Sequence, residues 1–442
     1  VFKIFANAWR VEDIRRKLLF VFLLLLIFRF GSAVPLPGIN LELLDLVRGG
    51  GGGFDQDIAT TIFSLIVGGG IGSLFAMGIA PYITASIIMQ LLSYAIPYFS
   101  ELKNEGEEGN KKIQQITRYL AVGLAVLQAA ATVFSYTNWN QTGYNLFRPE
   151  LQGFVIYAIA TLAMTSGTIF IMWLAELITE KGIGQGASFL IFANILAALP
   201  GGAMALWMMI TDGSPLVGLA QVVGILVVFV AMIIFVIYVH EGERRIPVQY
   251  AKRAGGTGRG AAQHSNHNSF IPIKVNLAGV LSIIFAMSLL QFPQQIAGFF
   301  GGAPTGGIGY WIFWALNWNN PVGLIIYIVL IFMFTHFYTS FAVNPREMAE
   351  NMKKNGGFIP GIRPGQPTSE FIQTTVNRLS WIGAVFYSLI AVMPILLEMF
   401  IPGIRGIGFG GTSLLIVTGV ALEFVKQLES QLLMRHYKGF LD

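Results

Sequence analysis

The sequence predicts an all-α polytopic membrane protein of ten transmembrane helices, and three observations carry that expectation. Only 12% of its 442 residues are charged while 54% are hydrophobic, about half the charge of a soluble domain. Apolar runs of about 20 residues, the length that crosses roughly 30 Å of hydrocarbon, recur at about 18–36, 74–96, 117–136, 154–177, 184–204, 216–239, 275–297, 321–342, 378–397 and 411–427. The basic residues then sort by side. Ten spans put both termini on one face, and that face collects 24 of the 28 Lys and Arg, whereas the opposite loops hold only Arg48, Arg148 and Arg405. Positive residues are retained on the cytoplasmic side, so both termini are expected there. The chain has no Cys, which excludes disulfides, thiolate metal sites and a thiol nucleophile.

Taken in order, the first run follows Arg15-Arg16-Lys17 and contains Arg29. It reads as a span rather than a secretory signal, because Arg29 interrupts it and no A-x-A site follows. Arg29 itself needs a partner or a water path. Next come Gly49 to Gly53 and a short apolar run, Ile58 to Val67, closed by Gly68-Gly69-Gly70. Ten residues cannot cross a bilayer. The segment is either a half-helix dipping in from outside, buried in protein or lining a cavity, or an interfacial loop lying flat. Two loops on the basic side, about 240–274 and 343–377, are long for helix connectors. They carry Arg244, Arg245, Lys252, Arg253 and Arg259 in the first and Arg346 and Arg363 in the second. Topology alone accounts for such charge, but loop length and the rigid tip Pro360-Gly361-Ile362-Arg363-Pro364-Gly365 point to docking of a partner, with acidic protein surface or RNA phosphate as the matching chemistry.

The membrane interior holds little chemistry. Ionisable residues sit near span ends, with Glu176, Glu423 and Lys426 at the basic face and Glu398 at the other. His336, alone within its span, reads as an interhelical hydrogen bonder. His240-Glu241 lacks the second His of a zinc protease, and His264 and His267 stand in a polar loop without a further ligand. Gly182 to Gly186 is a tight turn rather than a phosphate loop, since no Lys-Ser/Thr follows. Asn140-Gln141-Thr142 fits a glycosylation acceptor in an outer loop. No cofactor, metal site or enzyme activity is expected, and directed work must be powered by a partner. Two readings follow. A passive polypeptide conduit needs an apolar waist and docking loops; a secondary transporter of a small solute needs midplane charge.

Several long motifs, in order, resemble the SecY family of bacterial protein-conducting channels. They include Arg29-Phe30-Gly31 through Pro35-Leu36-Pro37-Gly38, Phe75 to Leu92, Trp173 to Gly186, Arg244 to Arg253, Lys274-Val275-Asn276, Asn344-Pro345-Arg346-Glu347, Pro360 to Gly365 and Gly410 to Ile416. The resemblance covers nearly the whole chain. It implies two pseudo-symmetric halves, 1–204 and 205–442, around an hourglass pore, hinged after the fifth span and opening sideways between spans 2, 3, 7 and 8. The segment at about 58–72, with Ile62, Phe63, Leu65, Ile66, Val67, Gly68, Gly69 and Gly70, would be the plug of the outer funnel. The pore ring maps onto Ile79, Ile83, Ile191, Ile284 and Ile416, while Ala187 replaces a bulky residue frequent in the family. Gln90 and Gln128 would lie at the lateral gate. Implied partners are SecE and SecG in the membrane, and the SecA motor or the ribosome at the basic loops. Clients would be signal sequences, unfolded preproteins and, on sideways release, membrane lipid; DNA has no part. The implied location is the bacterial inner membrane.

Overall fold

The structure, a computed structural model, describes residues 2–41, 70, 72–138, 147–148, 150, 153–211, 215–250, 269–275, 280–299, 307–316, 320–400 and 411–438. The described chain is almost wholly helical: α1 (Phe2–Arg10), α2 (Glu12–Ala33), α3 (Ala80–Ala95), α4 (Pro97–Asn104), α5 (Glu107–Asn138), α6 (Phe154–Lys181), α7 (Gly186–Thr211) and α8 (Pro215–His240). After strands β1 (Glu243–Tyr250) and β2 (Ser269–Lys274) come α9 (Leu281–Phe299), α10 (Gly307–Leu316), α11 (Pro321–Ala342), α12 (Pro345–Lys354), strand β3 (Gly357–Phe358), α13 (Gln366–Phe400) and α14 (Gly411–Lys438). Each of the ten apolar runs falls on one of these helices. Among the described residues six helices are long and apolar enough to cross a membrane, or seven if the pair α3–α4, bent by 102°, counts as one. The bend lies at Ile96, held extended by the following Pro97 as the residue before a proline usually is.

Packing order reveals an internal repeat. Among α2, α3, α5, α6 and α7, the second helix packs on the third, the third on the fourth and the fourth on the fifth; α8, α9, α11, α13 and α14 repeat that order. The two sets meet along two lines. On one side α7 packs on α8 and α14; on the other α9 packs on α3 and α5. The fifth helix, α7, runs on to Thr211 with Pro200 inside it. At one end of the bundle α1 packs against α14, and Ala8, Ile14, Ile183 and Leu428 form a small buried cluster. The two termini therefore share a face, as an even number of crossings requires.

The second apolar run is helical for only part of its length. Residues 72–79 form successive turns, and the helix begins at Ala80. Such backbone survives at membrane depth only when its polar groups are satisfied within protein, and here they are. The Leu36 amide donates to the Gly72 carbonyl (3.0 Å), Leu74 to Val34 (2.9 Å) and Gly78 to Phe75 (2.8 Å), while the Gly72 amide donates to the Tyr136 hydroxyl at 3.3 Å. Phe75 fixes the segment laterally, stacked between Phe28 (6.0 Å) and Phe170 (5.9 Å). Two glycines make room: a Cβ on Gly31 would strike the Phe75 ring, and one on Gly167 would strike the Leu74 carbonyl. The expected plug residues Ile62, Phe63, Leu65, Ile66, Val67, Gly68 and Gly69 lie outside the described residues, as do Gly49–Gly53, the Asn140 acceptor, His264 and His267.

Arg29 is exposed on α2, one turn from its end, and its Nη1 reaches Ser32 Oγ of the same helix at 3.5 Å. The two long basic-side loops join in a three-stranded sheet of order β2-β1-β3, described below. His336 matches expectation: its Nδ1 lies 3.2 Å from Ser380 Oγ, linking α11 to α13. Replacing Gly167 by Val is expected to push residues 72–79 out of place and to cost about 1–3 kcal/mol through overpacking, read as a lower midpoint in thermal unfolding of the purified protein in detergent.

Candidate functional site: a buried aliphatic waist and a basic docking face

Ile79 caps the start of α3, and the Ile83 amide donates to its carbonyl at 3.1 Å. The two side chains are thus one helical turn apart on one face. Ile191 comes from α7, Ile284 from α9 and Ile416 from α14. Four helices, two from each set of five, deliver these five isoleucines into a single buried hydrophobic cluster. Their exposures are 2%, 8%, 4%, 6% and 2% in chain order, so the centre of the molecule is closed. Ala187 is only partly buried and packs against the same cluster, leaving less bulk one turn from Ile191. Each fully buried isoleucine contributes about 1.5–3 kcal/mol to closure. Their β-branched side chains are stiff at χ1, and a constriction lined by such groups is of the kind that blocks ions by excluding water.

Polar side chains on α3, α5 and α11 are buried differently. Gln128, on α5, is buried, and its carbonyl oxygen finds no partner among the described residues. Gln90, on α3, uses its amide toward Ser86 of its own helix at 3.4 Å, and its carbonyl oxygen is likewise without a described partner. The same holds for the hydroxyls of Thr335 and Thr339 on α11. A buried polar atom left unpaired costs about 1–3 kcal/mol. One ring contact joins the two sets of helices here: Tyr94 of α3 meets Phe337 of α11 edge to face at 5.6 Å. Neither residue carries a sequence signal that would have singled it out, because the pairing exists only in three dimensions.

At the face that bears the termini, β1 pairs antiparallel with β2, Ile246 opposite Ile271, and with β3, Gln249 opposite Phe358. Ile246, Val248 and Ile273 bury one side of this sheet against Met352, Ile359, Ile372, Val376 and Leu379. The two-residue spacing of Ile246 and Val248, flanked by Arg245 and Gln249, was the available strand signal. Asn344 caps α12 by accepting the Glu347 amide at 3.4 Å, with Pro345 in the first turn. The tip is a tight turn. The Ile362 amide donates to the Ile359 carbonyl at 3.0 Å, with Pro360 and Gly361 between them and Gly361 at φ +83°, the positive angle that a turn of this type demands. Ile359 and Ile362 root the turn in the sheet core, and Thr368 Oγ1 donates to the Arg363 carbonyl at 2.9 Å.

Arg363 is therefore exposed on a fixed support, and Arg244, Arg245 and Arg346 are exposed around it. Arg245 is partly neutralised, with Nε 2.7 Å from Glu243 Oε1 and its guanidinium 4.8 Å from the Phe270 ring centre. Lys252, Arg253 and Arg259 lie outside the described residues. Where the loop leaves α8, Lys426 Nζ of α14 lies 2.7 Å from Glu241 Oε1; that hydrogen bond holds the Glu241 carboxyl below its ordinary range.

Comparison with known proteins agrees with this geometry. A sequence profile of the SecY family matches residues 73–425. The chain is 43% identical over 450 residues to the protein translocase subunit SecY of Halalkalibacterium halodurans, covering 100% of both chains. Its fold is that of a solved structure of a protein-conducting channel, with a TM-score of 0.63, 17% identity, and coverage of 93% of this chain and 90% of that one. It is similarly close to Sec61 in a canine ribosome–channel complex from the endoplasmic reticulum, with a TM-score of 0.61, 18% identity, and coverage of 93% and 90%. The chain belongs to the SecY family.

Proposed function

We propose that this chain, a multi-pass subunit of a protein-conducting channel, carries unfolded secretory polypeptides between its two five-helix halves, 1–204 and 205–442, through the waist formed by Ile79, Ile83, Ile191, Ile284 and Ile416. The observation that carries this reading is the convergence of those five side chains, from both halves, in one buried cluster. Aliphatic groups offer a moving chain no hydrogen bonds to stall on, and they close again when it has left. Hydrophobic segments leave sideways into lipid where α9 meets α3 and α5; the unpaired polar atoms on Gln90 and Gln128 make that seam the weaker of the two lines of contact. Residues 58–72 would close the outer funnel.

Ten spans with both termini cytoplasmic fit the 24-to-3 division of basic residues and the packing of α1 on α14. The bacterial inner membrane is the location in keeping with bacterial relatives. The exposed arginines of the sheet and its tip are the docking face for the ribosome or the SecA motor, which supplies the energy. The similar Sec61 chain seen on a ribosome supports the first, and SecE and SecG follow from the family resemblance as membrane partners. Transport of a small solute has no comparable support, since the centre of the molecule is an apolar cluster.

Because the chain lacks Cys, single cysteines placed at Ile79, Ile191, Ile284 or Ile416 can be crosslinked to a precursor stalled in transit without background thiols. Crosslinks from these four positions are expected. If only the exposed controls Val230 and Ile325 react, the waist is not the conduit. For the docking face, Arg363→Glu is expected to weaken binding of the motor or ribosome roughly 10-fold, the loss of about one charge-assisted contact, and to slow export while the assembled channel is recovered in normal yield. Unchanged export would remove Arg363 from the docking face.

A further inference from the structure

The connection between α9 and α11, at the end of the bundle opposite the sheet, contains a helix that the channel function does not use. Between Lys274 and Arg346 the sequence has no Asp, Glu, Lys or Arg, so this loop is uncharged throughout, unlike the other outer loops, which hold Arg48, Arg148 and Arg405. Within it α10, Gly-Ile-Gly-Tyr-Trp-Ile-Phe-Trp-Ala-Leu, packs on α9 and α11. Asn320 Nδ2 donates to the Trp314 carbonyl at 3.0 Å, which ties the end of α10 to the start of α11. Its outer side is not covered by this chain: Tyr310 is 45% exposed, Trp311 65%, Ile312 50% and Trp314 37%. The rings form one group, Trp311 lying 6.0 Å from Tyr310 and 5.9 Å from Trp314, both edge to face.

A ten-residue helix cannot span a bilayer, and an uncharged aromatic surface of this extent is a poor neighbour for water. What adjoins it identifies what covers it. α11 begins at once beyond Asn320, and Val322, Ile325, Val329 and Met333 make an exposed apolar stripe along it at the three-to-four-residue spacing of one helix face. In a membrane protein that stripe meets acyl chains, and the aromatic face of α10 continues it at the level where the span begins. Trp and Tyr, with an apolar body and a polar edge, are the side chains suited to the boundary between headgroups and acyl chains.

We propose that α10 lies in the plane of that boundary and anchors the outer ends of α9 and α11 to lipid, with Trp311 and Ile312 immersed. The anchor ties one wall of the lateral seam to the bilayer rather than to the opposite wall. The full chain, free of native Cys, is spin-labelled at Ile312→Cys and reconstituted in vesicles of phosphatidylethanolamine and phosphatidylglycerol. Collision with oxygen, which concentrates in lipid, is compared with collision with a water-soluble nickel chelate. Ile325→Cys on α11 serves as the lipid reference and Glu350→Cys on α12 as the aqueous one. Oxygen accessibility near that of the lipid reference, with nickel accessibility severalfold below that of the aqueous one, is expected. Nickel accessibility equal to that at 350 would place α10 in water and overturn the proposal. Low accessibility to both reagents would show it covered by protein and would overturn it equally. A label at Tyr310→Cys gives the same reading should the first variant fail to assemble.

Discussion

Every backbone amide and carbonyl inside a bilayer must find its partner within the protein, and that constraint governs the shape of this molecule. Helices meet it locally. Residues 72–79 meet it in part through their neighbours: the loop after α2 supplies the Val34 carbonyl and the amide of Leu36, α5 supplies the Tyr136 hydroxyl, and turns of the chain itself pair Ser73, Ala76 and Gly78. The glycines that permit the close approach, Gly31 and Gly167, belong to other helices. Because the irregular stretch ends at Ala80, the helix carrying Ile79 and Ile83 begins deep within the bundle, where helices of the other half can reach it. Position of the waist thus follows from where helical hydrogen bonding starts.

Two kinds of contact hold the halves together, and their difference matters. The central cluster is apolar, aliphatic and aromatic side chains together, and packs without directional bonds. On α3, α5 and α11, buried amide and hydroxyl oxygens have no partner among the described residues, an arrangement that packed interiors rarely keep. Tyr94 of α3 and Phe337 of α11 meet edge to face, a ring geometry favoured by the aromatic quadrupole.

Much of this was legible in the chain. Apolar runs located the long helices, each run falling on one of them, because membrane insertion filters strongly on hydropathy, and the shared face of α1 and α14 followed from the placement of Lys and Arg. Burial does not single out the proposed waist: chemically, Ile284 is indistinguishable from its buried neighbour Ile283. Residues 72–79 have the composition of a span, and only Gly72 and Gly78, both at positive φ, hint at turns. The sheet was hidden for another reason. Ile246, Val248, Ile271 and Ile273 alternate visibly, but their pairing with β3 joins segments about 100 residues apart, which a local reading does not connect.

The sheet has a mechanical corollary through α13. At 1.5 Å per residue its 35 residues extend about 52 Å, some 20 Å more than the hydrocarbon is thick. Ile372, Val376 and Leu379 near its start belong to the sheet core, and Tyr387 and Ile390 farther along belong to the central cluster. One rod is therefore embedded at both stations. The Arg363 turn, three residues before this helix, and the central cluster are thus tied to one continuous helical element.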